Sequence, residues 1–220
     1  MKRLAEGVEQ LGGFPPNLVN AYLVDGVLID SGLRLRSKLT LRQLRGREVK
    51  AHALTHGHGD HQGASRAVRD ALGVTLACGA GDADAVESGK LGPLLPDNLI
   101  GQATRLHSGP ACPVARRLVE GDDFHGLRVL DVPGHSPGHV AYWREAGRVL
   151  ILGDVLTNMN LFTTLPGLHE PPGFFTVDPA LSRRSVRKLI DLKPSLVCFG
   201  HGPPLRDPER FAQFIARLPD

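Results

Sequence analysis

Cysteine is scarce in this chain of 220 residues: Cys78, Cys112 and Cys198 form an odd and widely scattered set. That argues against a disulfide framework and for reduced thiols in a cytoplasm. No apolar run approaches the ~18 residues needed to span a bilayer. The opening Met1-Lys2-Arg3-Leu4-Ala5-Glu6 lacks the apolar stretch of a secretory signal. A cytoplasmic protein without a membrane partner is therefore expected. Blocks of one charge are missing too. With 26 Lys and Arg against 23 Asp and Glu, the net charge of +3 is thinly spread, and a nucleic-acid partner is not indicated. Repeats and low-complexity tracts are absent, and 41% hydrophobic with 22% charged residues excludes a disordered or collagenous chain. The length fits a single domain over residues 1–220. Nothing in the composition speaks to oligomeric state. What the chain does have in quantity is histidine, ten in all.

The coarse pattern alternates strands and helices. Residues 19–30 read as two short strands around the hairpin signal Asp25-Gly26. Leucines and basic residues over 34–45 predict a helix, 49–54 a buried strand, 62–72 a helix, 74–77 a short strand and 82–88 a short helix. The signal fades over 89–113. Strands are expected at 114–120 and 127–132, then a hairpin of 139–144 with 148–152 around Ala146-Gly147. Residues 155–177 have no clear period. Asp178 and Pro179 open a helix to Leu192, residues 196–199 form a strand, and 208–218 a closing helix. This is a layered α/β (α+β) domain.

Four positions at the end of the 49–54 strand carry the chemistry: His56, His58, Asp60 and His61. In an extended segment residues i and i+2 point the same way, so His56 and His58 can reach one ion. Gly57 and Gly59 let the chain turn, bringing Asp60 and His61 to a neighbouring point. A solvated, idle His-rich turn is the bland alternative. It loses ground because His135, Asp154 and His201 also sit at strand exits beside glycines. Strand exits on one sheet edge converge, and five histidines with two aspartates suffice for two coordination shells.

In its order His-x-His-x-Asp-His, then His, Asp and His, the chain resembles the metallo-β-lactamase superfamily in its binuclear hydrolase branch. Tyr22 to Gly32 resembles that family's opening hairpin, so the likeness covers about Asn20 to Pro204. The resemblance implies a four-layer αβ/βα sandwich with two mixed sheets face to face, helices outside and metals at one edge. It implies that His56, His58 and His135 hold a first ion, that Asp60, His61 and His201 hold a second, and that Asp154 bridges them. His139 would stand behind them, hydrogen-bonded to a ligating carboxylate. His52, His107, His125 and His169 match no ligand position and are read as ordinary histidines. Cys198 is read as core. Two divalent ions are expected, zinc first, with iron or manganese compatible with the same donors. A metal-held hydroxide would be the nucleophile, and Asp60 would both ligate and pass on a proton. Two ions, two carboxylates and a hydroxide leave a site of about +1, suited to a substrate that is anionic or develops an oxyanion.

Within that family several reactions compete. A secreted lactamase would carry a leader, and the redox branch an appended flavin domain; neither is expected here. Glyoxalase II-like thioesterases usually continue into a basic C-terminal helical region, for which Arg206-Asp207-Pro208-Glu209-Arg210 is a poor substitute. The lactonases commonly place a tyrosine soon after the bridging aspartate, where this chain has Val155-Leu156-Thr157-Asn158. Met159, Leu161, Phe162, Leu165, Phe174 and Phe175 form an apolar set after Asp154, and could be core or a wall for an acyl group. Phe162, Phe174 and Phe175 are the candidate substrate pocket. The expected activity is hydrolysis of a small ester, thioester or lactone. A phosphodiesterase or ribonuclease of the same fold is the alternative, and a metal-binding protein without catalysis a third.

Overall fold

The computed structural model describes residues 1–105 and 109–219, the side chains of 103–105 excepted. The chain opens with a hairpin of β1 (Lys2–Ala5) and β2 (Val8–Gln10), then a second of β3 (Tyr22–Val24) and β4 (Val27–Ile29). Asp25 (φ 47°) and Gly26 (φ 87°) are both left-handed, as a two-residue turn matched to the strand twist requires. From β4 the chain becomes parallel through β5 (Ala51–Ala53), β6 (Leu76–Gly79) and β7 (Val114–Leu118). The crossovers carry α1 (Ser37–Leu44), α2 (Gly59–Gln62), α3 (Ser65–Leu72), α4 (Ala83–Ser88) and α5 (Leu99–Arg105). The result is a seven-stranded sheet in simple chain order.

The second sheet takes β8 (Asp123–Phe124), β9 (Leu127–Asp131), β10 (Val140–Arg144) and β11 (Val149–Gly153) as an antiparallel meander. A ribbon of β12 (Thr157–Met159) and β13 (Pro166–His169) follows, then α6 (Pro179–Arg187), β14 (Leu196–Phe199) and α7 (Pro208–Ala216). β14 returns parallel to β11. Asp178 and Asp207 cap α6 and α7 by accepting from Leu181 and Arg210 backbone N–H groups at 2.8 and 2.9 Å, each ahead of a proline.

Side-chain alternation builds the layers. Tyr22, Val27 and Ile29 from the first sheet meet Val129, Tyr142, Ile151 and Cys198 from the second in one buried core. Leu28 points the other way, to Leu44 and Val68 of α1 and α3. Leu150 and Leu152 likewise turn to Val186 of α6 and to Phe211 and Ile215 of α7. This is the four-layer α/β sandwich the sequence led us to expect.

Some elements differ from the sequence reading. The β1–β2 hairpin was not anticipated. The helix expected over 62–72 is broken into α2 and α3 at Gly63, where a Cβ would lie 2.4 Å from the Arg34 backbone nitrogen and the Gly59 carbonyl oxygen. Residues 89–113 hold a 3-10 turn at 92–94 and α5, and 155–177 hold the β12–β13 ribbon and a 3-10 turn at 173–175. The helix expected to reach Leu192 stops at Arg187, with a 3-10 turn over Ile190–Leu192. Among the described residues no helix is long and apolar enough to cross a membrane.

Candidate metal centre

In the second sheet β9, β11 and β14 run the same way, and the segments that follow them meet the segment that follows β5 of the first sheet at one edge. β5 delivers His56 and His58, and α2 follows with Asp60 and His61. β9 leads to His135, β11 to Asp154 and β14 to His201. All are buried except Asp60, which is half-buried. Their donor atoms fall into three overlapping sets: His56, His58 and His135; His56, His61 and Asp154; Asp60, His61 and His201. Within each set the atoms lie no more than 4.8 Å apart. One oxygen of Asp154, Oδ2, is central. It lies 2.9 Å from His201 Nε2, 3.3 Å from His61 Nε2, 3.8 Å from His135 Nε2 and 4.0 Å from His56 Nε2. Asp60 Oδ2 lies 3.3 Å from His201 Nε2.

Outer hydrogen bonds fix which nitrogen of each ring faces inward. His61 Nδ1 donates to Asp30 Oδ2 at 2.9 Å, and His201 Nδ1 donates to the Leu18 carbonyl. His58 uses Nε2 on the Leu94 carbonyl (2.8 Å). His135 uses Nδ1 on Thr176 Oγ1 (3.1 Å), whose own proton goes to the Pro172 carbonyl. His58 Nδ1 and His135 Nε2 are therefore both left with lone pairs, and these face each other at 3.1 Å. Two lone pairs at that distance call for a cation between or beside them. His56 Nε2, His61 Nε2 and Asp154 Oδ1 are also buried without a hydrogen-bond partner among the described residues. Buried polar atoms are seldom orphaned, and these three belong to the same donor sets. The imidazole and carboxylate chemistry fits a metal centre.

Electrostatics divide the histidines. Burial, then neighbouring histidines, push His56 and His135 well below the ordinary value, so they stay neutral. For His61 and His201 burial opposes charge, but Asp154 and Asp60 outweigh it. His61 is raised well above the ordinary value and His201 to about 10.

Two residues central to this arrangement escaped the sequence reading. Asp30 accepts from the Thr55 backbone (2.8 Å), the Thr55 hydroxyl (2.9 Å) and His61. Asp82 stands at the N-cap of α4 yet does not cap it. Its carboxylate accepts from Gly57 N–H (2.8 Å), Ser136 Oγ (2.7 Å) and Gly138 N–H (2.6 Å), tying the His56–His58 loop to the His135 loop.

Other expectations need correction. His139 accepts from the backbone N–H of Asp154 at 3.0 Å and stacks on His56 at 4.8 Å, so it holds main chain rather than a carboxylate. A cleft of about 330 Å³ opens above His58, Asp60, His135, Asp154 and His201. Of the three candidate phenylalanines only Phe175 lines it. Phe162 lies in the β12–β13 connection, which carries it outward to 75% exposure. Its ring packs at a tilt against Phe174, which packs at a tilt against Phe175. His52 is an ordinary buried histidine, bonded to the Leu28 carbonyl (3.0 Å) and Ser65 Oγ (2.8 Å). His125 and His169 stand outside the donor sets, and His107 lies outside the described residues. Cys198 is in the inter-sheet core, where burial pushes its thiol up, and it is no nucleophile.

The family profile of the metallo-beta-lactamase superfamily matches residues 14–201. "Probable metallo-hydrolase YflN" of Bacillus subtilis is 28% identical, covering 91% of this chain and 86% of that protein. A hydroxyacylglutathione hydrolase of Methylococcus capsulatus is 35% identical over 46% of this chain, but only 32% of its own length is covered. The crystal structure of TTHA1623 in a di-iron-bound form superposes with a TM-score of 0.66 at 32% identity, covering 90% of this chain and 92% of that one. With the profile spanning most of the sequence and the sandwich and donor cluster in place, the chain belongs to the metallo-beta-lactamase superfamily and is a metallo-hydrolase of that family.

Proposed function

We propose that this protein is a dinuclear metal-dependent hydrolase of a small ester, thioester or lactone. The observation that carries the reading is Asp154: a buried carboxylate set between two groups of inward-facing nitrogens, at the floor of an apolar-walled cleft. In this reading His56, His58 and His135 hold one ion, Asp60, His61 and His201 the other, and Asp154 both. Zinc suits imidazole and carboxylate donors without thiolate, and so do iron and manganese; the similar di-iron structure keeps iron open. When bound, such ions polarise an acyl oxygen and lower the pKa of water toward 7.

The chain's own groups do the rest. Asp60 reaches the cleft. Burial works against its charge, but His61 and His201 hold its carboxyl below the usual range. In this reading it stays a carboxylate facing the cleft, where it helps hold an ion and passes on a proton. His58 and His135 stay oriented by Leu94 and Thr176, and the apolar walls keep water off the acyl group. The hydroxyacylglutathione hydrolase relatives support the thioester branch.

Elemental analysis and a panel of chromogenic ester, thioester, lactone and bis-phosphodiester substrates test the proposal, with zinc, iron and manganese forms compared. About two ions per chain are expected. Asp154→Ala or His135→Ala should lose metal and at least about a hundredfold in rate, beyond the 10- to 100-fold typical of residues behind the ligands. A folded, metal-free protein of full activity would sink the proposal. Turnover of the phosphodiester alone would move the assignment to the nuclease branch.

A further inference from the structure

His201 takes its outer hydrogen bond from much farther along the chain than His58, His61 or His135 do. Its loop, residues 199–202, is held by the stretch 17–20 that leads into β3 of the first sheet. Asn20, fully buried, is the centre of that contact. Its backbone N–H donates to the Gly200 carbonyl at 2.8 Å. Its Nδ2 donates to the Phe199 carbonyl at 2.9 Å and to the Gly202 carbonyl at 2.8 Å. Only the nitrogen end of an amide can face two carbonyl oxygens, so the orientation is fixed. Oδ1 in turn accepts from Gln10 Nε2 at 2.7 Å, and the same nitrogen donates to Asn17 Oδ1 at 3.0 Å. Asn20 thus spends all its polar hydrogens on three of the four carbonyls of residues 199–202. The fourth, that of His201 itself, accepts from Asn158 N–H at 2.9 Å.

The same stretch sets the ring. His201 Nδ1 donates to the Leu18 carbonyl, two residues before Asn20, and Gly202 N–H donates to the Asn17 carbonyl at 2.8 Å. Backbone and imidazole are therefore fixed from one short segment, and that segment is tied to the loop through Asn20. There is little slack for a shift. A Cβ on Gly200 would fall 1.9 Å from Asp154 Oδ1, and His201 Nε2 already lies 2.9 Å from Asp154 Oδ2. The other half of the site is held differently. Asp82 joins the loop of His56 and His58 to that of His135, and the bonds of the Asn20 side chain do not reach either loop.

We infer that Asn20 is a positioning residue for His201 and governs one ion of the pair. Without its two side-chain donors the 199–202 loop loosens, and the ion assigned to Asp60, His61 and His201 is held less tightly. The ion assigned to His56, His58 and His135 keeps its affinity. This rests on the dinuclear reading above.

Cobalt(II) is the probe, since imidazole and carboxylate donors accept it and its visible spectrum reports coordination. The full chain is loaded with cobalt and titrated with a competing chelator, and bound cobalt per chain is read beside the spectrum. His58→Ala and His201→Ala mark which bands and which release step belong to each ion. In Asn20→Ala the step missing from His201→Ala should come at about 10- to 100-fold lower chelator, the range for residues behind ligands. The step missing from His58→Ala should move by less than about threefold, as expected where no partner is shared. Asn20→Asp has the same size but turns an oxygen toward the Phe199 and Gly202 carbonyls, so that at most one donor remains. It should weaken the same step. Gln10→Met leaves Asn20 in place with one partner fewer and should weaken that step in part. Wild-type retention of both ions in Asn20→Asp overturns the inference, even if the variant melts earlier. Equal weakening of both steps in Asn20→Ala overturns it too, since a general loosening of the fold would do the same. If neither Asn20 variant folds, Gln10→Met decides, and an unchanged or unselective titration there overturns the inference. In all three cases the dinuclear reading stands. A wild-type chain that binds no cobalt overturns that reading and the inference together.

Discussion

At the scale of single residues, Asp82 shows how a buried carboxylate can matter without touching a reacting atom. An aspartate at a helix N-cap ordinarily satisfies its own helix. The two oxygens of Asp82 instead accept from Gly57, Ser136 and Gly138, which belong to the loop carrying His56 and His58 and the loop carrying His135. Removing it leaves two backbone N–H groups and a hydroxyl without partners, at about 1–3 kcal/mol for each that stays buried. Asp82→Ala should therefore lower stability by about 3 kcal/mol or more. It should also weaken metal retention about 10- to 100-fold in competition with a chelator. Asp82→Asn keeps the shape but turns an amide N–H₂ toward donors, and should fall between. Unchanged chelator competition in a destabilised Asp82→Ala protein would show that the clamp serves the fold alone.

At the scale of elements, the two sheets reach the metal edge by very close approach. The last residue of β6, Gly79, lies against the loop between β9 and β10. A Cβ there would fall 1.9 Å from the Gly138 carbonyl oxygen and 3.0 Å from Val140 Cγ1. Backbone cannot move aside as a side chain can, so Gly79→Ala should cost about 1–3 kcal/mol or more by overpacking. It should also displace His135, reducing metal content per folded chain; full content with a lowered melting point would contradict that coupling. Glycines of this kind are invisible as such in the sequence. What was legible there had a local signature. The Asp25-Gly26 turn, the Asp178-Pro179 cap and the apolar runs of β5, β11 and β14 could be read directly. His56, His58, Asp60 and His61 stood out by their close spacing after a strand, and His135, Asp154 and His201 by standing at strand exits beside glycines. β1 was missed because Lys2–Ala5 is largely exposed and does not alternate. The β12–β13 ribbon was missed because an irregular register hides its period. Asp30 and Asp82 escaped because their partners lie 25 to 56 residues away, a distance over which no spacing rule speaks.

At the scale of the whole molecule, the fold gathers carboxylates and histidines into one buried edge, and what neutralises them decides how stability responds to pH. Without metal, protons must do it. Burial disfavours the charged form of His201, but the Asp154 and Asp60 carboxylates beside it raise it from 6.5 to about 10, and His61 is raised likewise. These protonated rings pair with Asp154, whose own carboxyl they hold well below the usual range against the opposing effect of burial. The folded metal-free chain thus binds more protons than the unfolded one between pH 6.5 and about 10. Its stability from this source is fully present below 6.5 and is lost as pH rises through that window. Metal reverses the sign. Bound ions need the same nitrogens deprotonated, so loading releases protons and affinity grows as pH rises. A bound ion stabilises the fold by an amount that grows with that affinity, about 2.7 kcal/mol at a hundredfold excess over Kd. Chelator-stripped protein should therefore melt at progressively lower temperature from pH 6.5 upward, while the zinc-loaded protein holds or gains. The gap between the two melting curves should widen with pH, and a pH-indicator dye should report proton release on loading. A gap that stays constant or narrows over this range would mean that protons and metal do not compete for the same histidines, and the assignment of His61 and His201 as ligands would fall with it.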